Sequence, residues 1–168
     1  AKEYLQYFNA LFGGGKENDG YLEELLEKVG LQEKKNVPAG EFSRGMKQRL
    51  GIAKALVNRP KIIFLDETTL GLDPSGQRDI QQLIREINQG DEITVFITSH
   101  LLKDIEVLCN KVCIIKDGVL VEQGSIEELR KKYMADIDLR EMTQKTLSME
   151  DIFFRVTEAS QTGKESIL

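Results

Sequence analysis

The chain has 168 residues, 30% of them charged and 40% hydrophobic, with a formal net charge of −5. That suits one ordinary globular domain with a continuous core and excludes a disordered chain. The acidic balance argues against a nucleic-acid or anionic-lipid surface, no apolar stretch nears the roughly 18 residues that span a bilayer, and no signal-peptide pattern opens the chain.

The chain begins at Ala1, inside a helical pattern and without a capping residue, as a fragment would. Tyr4, Leu5, Phe8, Leu11 and Phe12 recur at helical spacing, and Gly13, Gly14 and Gly15 stop the pattern. Leu22, Leu25, Leu26 and Val29 form a second stripe, with Asp19 as a candidate cap and Gly30 as the stop. Met46, Leu50, Ala53 and Val57 mark a third helix that ends before Pro60. The first third of the chain is therefore read as helical.

The period then changes. The runs IIFL at 62–65 and ITVFIT at 93–98 read as buried parallel strands, separated by a helix through Ile80, Leu83, Ile84 and Ile87 that stops at Gly90. A helix with Leu102, Ile105 and Leu108 precedes a strand VCII at 112–115. Asp117-Gly118 signals a hairpin turn into VLVE, and Ser125 with Glu128 has the spacing of a capping box. Alternating strands and helices predict an α/β layer on a parallel sheet. Residues from about 155 onward read as a frayed polar tail. Cys109 and Cys113, four apart, have no further ligands at zinc spacing; Cys113 reads as a small core residue, and reduced thiols suit the cytoplasm.

Three short segments carry chemistry. In KIIFLDETTLGLDP at 61–74, Asp66 and Glu67 end an apolar strand, and ligands of open parallel sheets bind beyond such strand ends. Alternate strand residues point to opposite sides, so one carboxylate can hold a hydrated Mg²⁺ while the other polarises a water. By itself, an acidic loop after a strand is the commoner explanation. Asp73, before Pro74, reads on its own as a helix cap. In FSRGMKQRL at 42–50, Ser43, Arg44 and Gly45 precede a helix whose free N–H groups and dipole suit a phosphate. In isolation, a serine cap followed by a flexible glycine is the commoner account, with Lys47 and Arg49 as solvated charges. His100, the one histidine, follows the run 93–98 and could alone as easily be a capped loop histidine. It is expected on the same sheet edge as Asp66, however, and that shared location favours service to a phosphate or a water.

In this order the segments resemble the signature loop, Walker B strand, D-loop and switch histidine of the nucleotide-binding domain of ATP-binding cassette (ABC) transporters, over residues from about 1 to 130. FSRGMKQRLGIAKAL and LSMEDIFFRVTE look most like bacterial drug, bacteriocin-immunity and ABC-2 type exporters. The resemblance implies an ABC-type P-loop NTPase fold: a helical signature subdomain over 1–58, the C-terminal part of a RecA-like α/β core over 59–135, and an extension over 136–168. It implies ATP and Mg²⁺ as cofactors, with Asp66 supporting the metal through water and Glu67 orienting or deprotonating the attacking water. His100 would contact the γ-phosphate. Ser43, Arg44 and Gly45 would close over ATP held by a second nucleotide-binding domain in a head-to-tail dimer, and Asp73 would communicate across it. The other partner implied is a membrane-spanning permease subunit that holds the protein on the cytoplasmic face of the membrane. Arg44 stands where the family usually has glycine, Met46 where glutamine is commoner, and Thr68 where proline is usual.

A phosphate-binding loop needs G-x-x-x-x-G-K-[ST] between a strand and a helix. Gly15-Lys16 fails, with Ala10 in the first glycine position and Glu17 in the hydroxyl position; Gly163-Lys164 fails with Glu158 and Glu165. The sequence therefore reads as the C-terminal part of an exporter ATPase, inactive alone. The alternatives are a non-transport ABC ATPase of translation or DNA maintenance, or a partial cassette that acts as an interaction module.

Overall fold

The fold is described from a computed structural model, which describes residues 1–15, 18–90, 93–134 and 147–162. The lysines of both rejected glycine–lysine pairs lie outside the described residues. Two compact units divide the chain, Ala1–Thr98 and Ser99–Leu168.

The first unit contains α1 (Lys2–Leu11), α2 (Asp19–Lys28), α3 (Arg44–Leu56), β1 (Ile62–Asp66), α4 (Pro74–Gly90) and β2 (Thr94–Thr98). Gly13 and Gly30, both at positive φ, follow the first two helices, a conformation in which a Cβ would be strained. Asn18 rather than Asp19 occupies the α2 cap position, and Asp19 accepts a hydrogen bond from Gln6 instead. Leu5, Leu22, Leu26, Leu56 and Ile52 are buried, and the Tyr21 hydroxyl donates to the Leu56 carbonyl at 2.8 Å, which joins α2 to α3. Arg49, expected in solvent, instead donates to the Val29 carbonyl at 3.1 Å and pairs with Asp79 at 2.8 Å. One guanidinium thereby closes the end of α2 and reaches α4.

Parallel pairing puts Ile62 opposite Thr94 and Asp66 opposite Thr98. Ile63 and Leu65 are buried, as are Ile80, Leu83, Ile84 and Ile87 of α4, so the period-2 face of the strand and the 3.6-period stripe of the helix are both removed from water. On the other face of the pair, Phe64 and Phe96 stack with ring centroids 5.0 Å apart and stay exposed.

The second unit contains α5 (Leu102–Leu108), β3 (Lys111–Lys116), β4 (Val119–Ser125), α6 (Ile126–Met134) and α7 (Met149–Thr162). The run VCII pairs antiparallel with β4, as the hairpin signal at Asp117-Gly118 predicted, and among the described residues it is not the third parallel strand that the strand–helix alternation led one to expect. The cause is local: Asp117 and Gly118 both take positive φ, the requirement of a two-residue hairpin turn. Val112 and Ile114 are buried while Cys113 is exposed, so this thiol is not the core residue expected of it; alternation along the hairpin turns it outward.

The expected tail from about 155 is corrected as far as Thr162, and the part of it over 163–168 lies outside the described residues. Residues through Thr162 continue α7, whose Met149, Ile152 and Val156 pack with Leu147, Val112, Ile114, Ile126 and Leu129 in one cluster. Glu106 on α5 accepts from the Met149 N–H at 2.6 Å and from Arg130 at 3.1 Å, and Arg130 also donates to the Leu147 carbonyl at 2.9 Å. The helix is thus pinned at its N-terminus by charges from α5 and α6. No described helix is long and apolar enough to cross a membrane.

Candidate functional site

β1 alternates exposed and buried residues and delivers Asp66 on its exposed side as the last strand residue. There the Thr98 hydroxyl, from the paired position on β2, donates to Asp66 Oδ1. Thr98 was not singled out in the sequence; equal strand lengths in parallel register were the signal that pairs it with Asp66. Glu67 differs in kind. Its φ is +49, a left-handed conformation that costs a non-glycine residue on the order of 1 kcal/mol and persists only where the surroundings impose it. What imposes it is visible: the Glu67 N–H donates to the Thr98 carbonyl at 3.0 Å, and its carbonyl accepts from Leu70 at 3.1 Å. The two carboxylates are therefore separated by a sharp turn, where simple strand alternation was expected. Asp66 is exposed, whereas one oxygen of Glu67 is shielded from solvent. Thr68 and Thr69, at 7% and 2% exposure, anchor the loop behind them.

That loop runs through Gly71, at φ +72, to Asp73, whose Oδ1 accepts from the Gly76 N–H at 3.2 Å. α4 begins at Pro74, so the cap reading of Asp73 holds geometrically. Ser43 likewise caps α3, its Oγ accepting from the Met46 N–H at 3.3 Å. Ser43 and Arg44 are exposed at this helix N-terminus. Gly45 faces the same loop: a Cβ built on it would lie 3.8 Å from Leu72 Cδ2. Ser43, Arg44 and Gly45 thus adjoin the loop of Asp66, Glu67 and Asp73 within one unit.

His100 falls in the second unit, exposed, two residues beyond Thr98. The Leu101 N–H donates to Ser99 Oγ at 3.0 Å and fixes the turn that carries it into α5. The acidic pair and the turn at 43–45 belong to the first unit, and His100 belongs to the second.

Among the described residues no group of three or more His, Cys, Asp or Glu is assembled that would hold a metal by itself. The donor set fits magnesium in the form it prefers, keeping most of its water and taking one or two carboxylates plus phosphate oxygens. Asp66, exposed and with one oxygen engaged by Thr98, is the carboxylate that fits.

A family model described as ABC transporter matches residues 3–70. The bacitracin transport ATP-binding protein BcrA of Bacillus licheniformis is 40% identical over 156 residues, 91% of this chain and 50% of that protein. The methionine import ATP-binding protein MetN 2 of Shouchella clausii is 34% identical over 135 residues, 76% of this chain and 40% of that protein. Among solved structures, an ATP-binding subunit of an ABC transporter superposes with a TM-score of 0.71 at 24% identity, covering 93% of this chain and 61% of its own. The cbiO1 protein of Clostridium perfringens, part of the ABC transporter complex cbiONQ, does so at 0.62 and 31% identity, over 76% of this chain and 52% of its own. The chain spans about half the length of the curated relatives it matches.

Proposed function

Because this chain belongs to the ABC transporter ATP-binding family, we propose that it is the part of a transporter's ATPase subunit that presents the acidic pair and the signature turn to bound ATP. The observation that carries this is Asp66 and Glu67 at the C-terminal end of β1, with Glu67 held in a left-handed turn by Thr98.

In this reading Asp66 holds Mg²⁺ through water, and the ion, when bound with ATP, neutralises phosphate charge. Glu67, less exposed and held by its turn, orients and takes a proton from the attacking water. His100 offers a ring nitrogen to the γ-phosphate. The exposed N-terminus of α3, with Ser43, Arg44 and Gly45, supplies N–H donors and a positive dipole to ATP held by a second nucleotide-binding domain facing it head to tail. Asp73 lies on the loop that would carry the signal across that dimer. The helices over 1–58 would meet a membrane-spanning permease, the α/β core over 59–135 would do the chemistry with an extension over 136–168, and the subunit would sit at the cytoplasmic face of the membrane. The signature and C-terminal segments favour export as the direction.

No G-x-x-x-x-G-K-[ST] occurs in these 168 residues, so most contacts to the β- and γ-phosphates would come from residues beyond them. MgATP turnover, measured on the 168-residue chain and on a longer polypeptide that contains it, tests the proposal. We expect turnover in the longer polypeptide, stimulated by its membrane subunit, and neither turnover nor micromolar MgATP binding by calorimetry in the chain alone. Hydrolysis by the chain alone, or none by the longer polypeptide, would overturn it.

A further inference from the structure

Gly71 sits in the loop between Glu67 and α4, and a Cβ built on it would fall 2.5 Å from Arg44 Cζ and Nη1 and 2.8 Å from Nη2. These near-equal distances fix the orientation of the guanidinium. A point in its plane beyond the two nitrogens would lie farther from Cζ than from either of them. A Cβ on Gly71 would therefore meet the flat face of the group, so the guanidinium covers the space that a side chain there would take, as a planar arginine can and a point-charge lysine cannot. The φ of +72 favours glycine there, and a methyl would in addition push the guanidinium away.

We propose that Arg44 is a positioning residue: through the guanidinium laid on Gly71 it sets the loop that carries Glu67 against the turn that faces the nucleotide. This rests on the ATPase reading and changes the part Arg44 plays in it, from phosphate contact to support of the loop. The connection from Gly71 back to Glu67 is short and stiff. Leu72 N–H donates to the Thr69 carbonyl at 3.2 Å, Leu70 N–H to the Glu67 carbonyl at 3.1 Å, and Glu67 N–H to the Thr98 carbonyl at 3.0 Å. Two linked turns with buried Thr68 and Thr69 between them leave little slack, so a displacement at Gly71 reaches the Glu67 carboxylate.

Steady-state kinetics of the longer polypeptide test this with Arg44→Ala, Arg44→Lys, Gly71→Ala and the Arg44→Ala/Gly71→Ala double variant. The guanidinium is the free end of a flexible side chain, so a methyl at Gly71 displaces it, and the double variant separates that effect from backbone strain. We expect kcat to fall about tenfold or more in each single variant with KM for MgATP within about twofold, as misplacement of a catalytic group without loss of binding requires. Lysine does not restore kcat, and the double variant is no slower than the slower single one. A raised KM with kcat retained, rescue by lysine, or additive losses would each overturn the proposal. Amide exchange at Leu70 and Leu72 in the 168-residue chain reads the contact without ATP: Arg44→Ala accelerates both, and unchanged exchange overturns the proposal. A wild-type longer polypeptide with no ATPase activity would instead overturn the ATPase reading.

Discussion

Single residues in this chain are held by partners that sequence position does not announce. Glu122 on β4 accepts from the Tyr133 hydroxyl at 2.7 Å and also pairs with Lys132, both on α6. The Lys132 and then the Tyr133 hydrogen bonds pull its carboxyl below the ordinary value of 4.5, with burial acting weakly the other way. A carboxyl lowered in the folded state stabilises the fold above its unfolded pKa, and that contribution is lost as the pH falls through the folded value. Urea midpoints followed from about pH 7 down to about pH 3 should therefore show Glu122→Gln less stable than wild type at neutral pH, with the gap closing in acid. A gap that stays constant across the range would rule out this linkage. Lys132 is exposed, and solvent screening of its charge keeps the effect small. Arg49 and Thr98 make the same point, since each engages a residue 20 or more positions away.

Elements with local causes were legible, and those with remote causes were not. The hairpin turn at Asp117-Gly118 was readable because two adjacent residues specify it. The capping box of α6 was readable because its partners are three apart: Glu128 N–H donates to Ser125 Oγ at 3.1 Å and Ser125 N–H to Glu128 Oε2 at 2.8 Å. The parallel pairing of β1 with β2 followed from two apolar runs flanking an amphipathic helix. The pairing of β3 with β4 followed from the Asp117-Gly118 turn, whereas its expected place as a third parallel strand was misjudged because strand composition does not name the neighbour. α7 was misjudged because polar residues near its end mask a buried stripe, and because its N-terminal clamp, Glu106 with Arg130, comes from other helices. Ile152 in that stripe has 0% exposure. Ile152→Ala should cost about 2–5 kcal/mol of second-unit stability, against about 1 kcal/mol for Ser125→Ala at the α6 cap. Chemical denaturation checks both; a near-neutral Ile152→Ala would mean that α7 is not part of the core.

For the molecule as a whole, the acidic pair, the strand that ends in it and the capped turn at 43–45 lie in the first unit, and His100 in the second. The candidate site was proposed from the sequence as an ordered set of residue types, because strand ends and helix starts are where such groups gather. What the order did not reveal was how the pieces are held: the left-handed Glu67, its tether to Thr98 and the seat of Arg44 on Gly71. The central claim is that Glu67 acts on the attacking water in an ABC ATPase. Its most direct test is Glu67→Gln in the longer polypeptide, with MgATP turnover and nucleotide-driven dimerisation measured together. Turnover should be abolished while dimerisation on MgATP persists; near-normal turnover would rule out this role for Glu67.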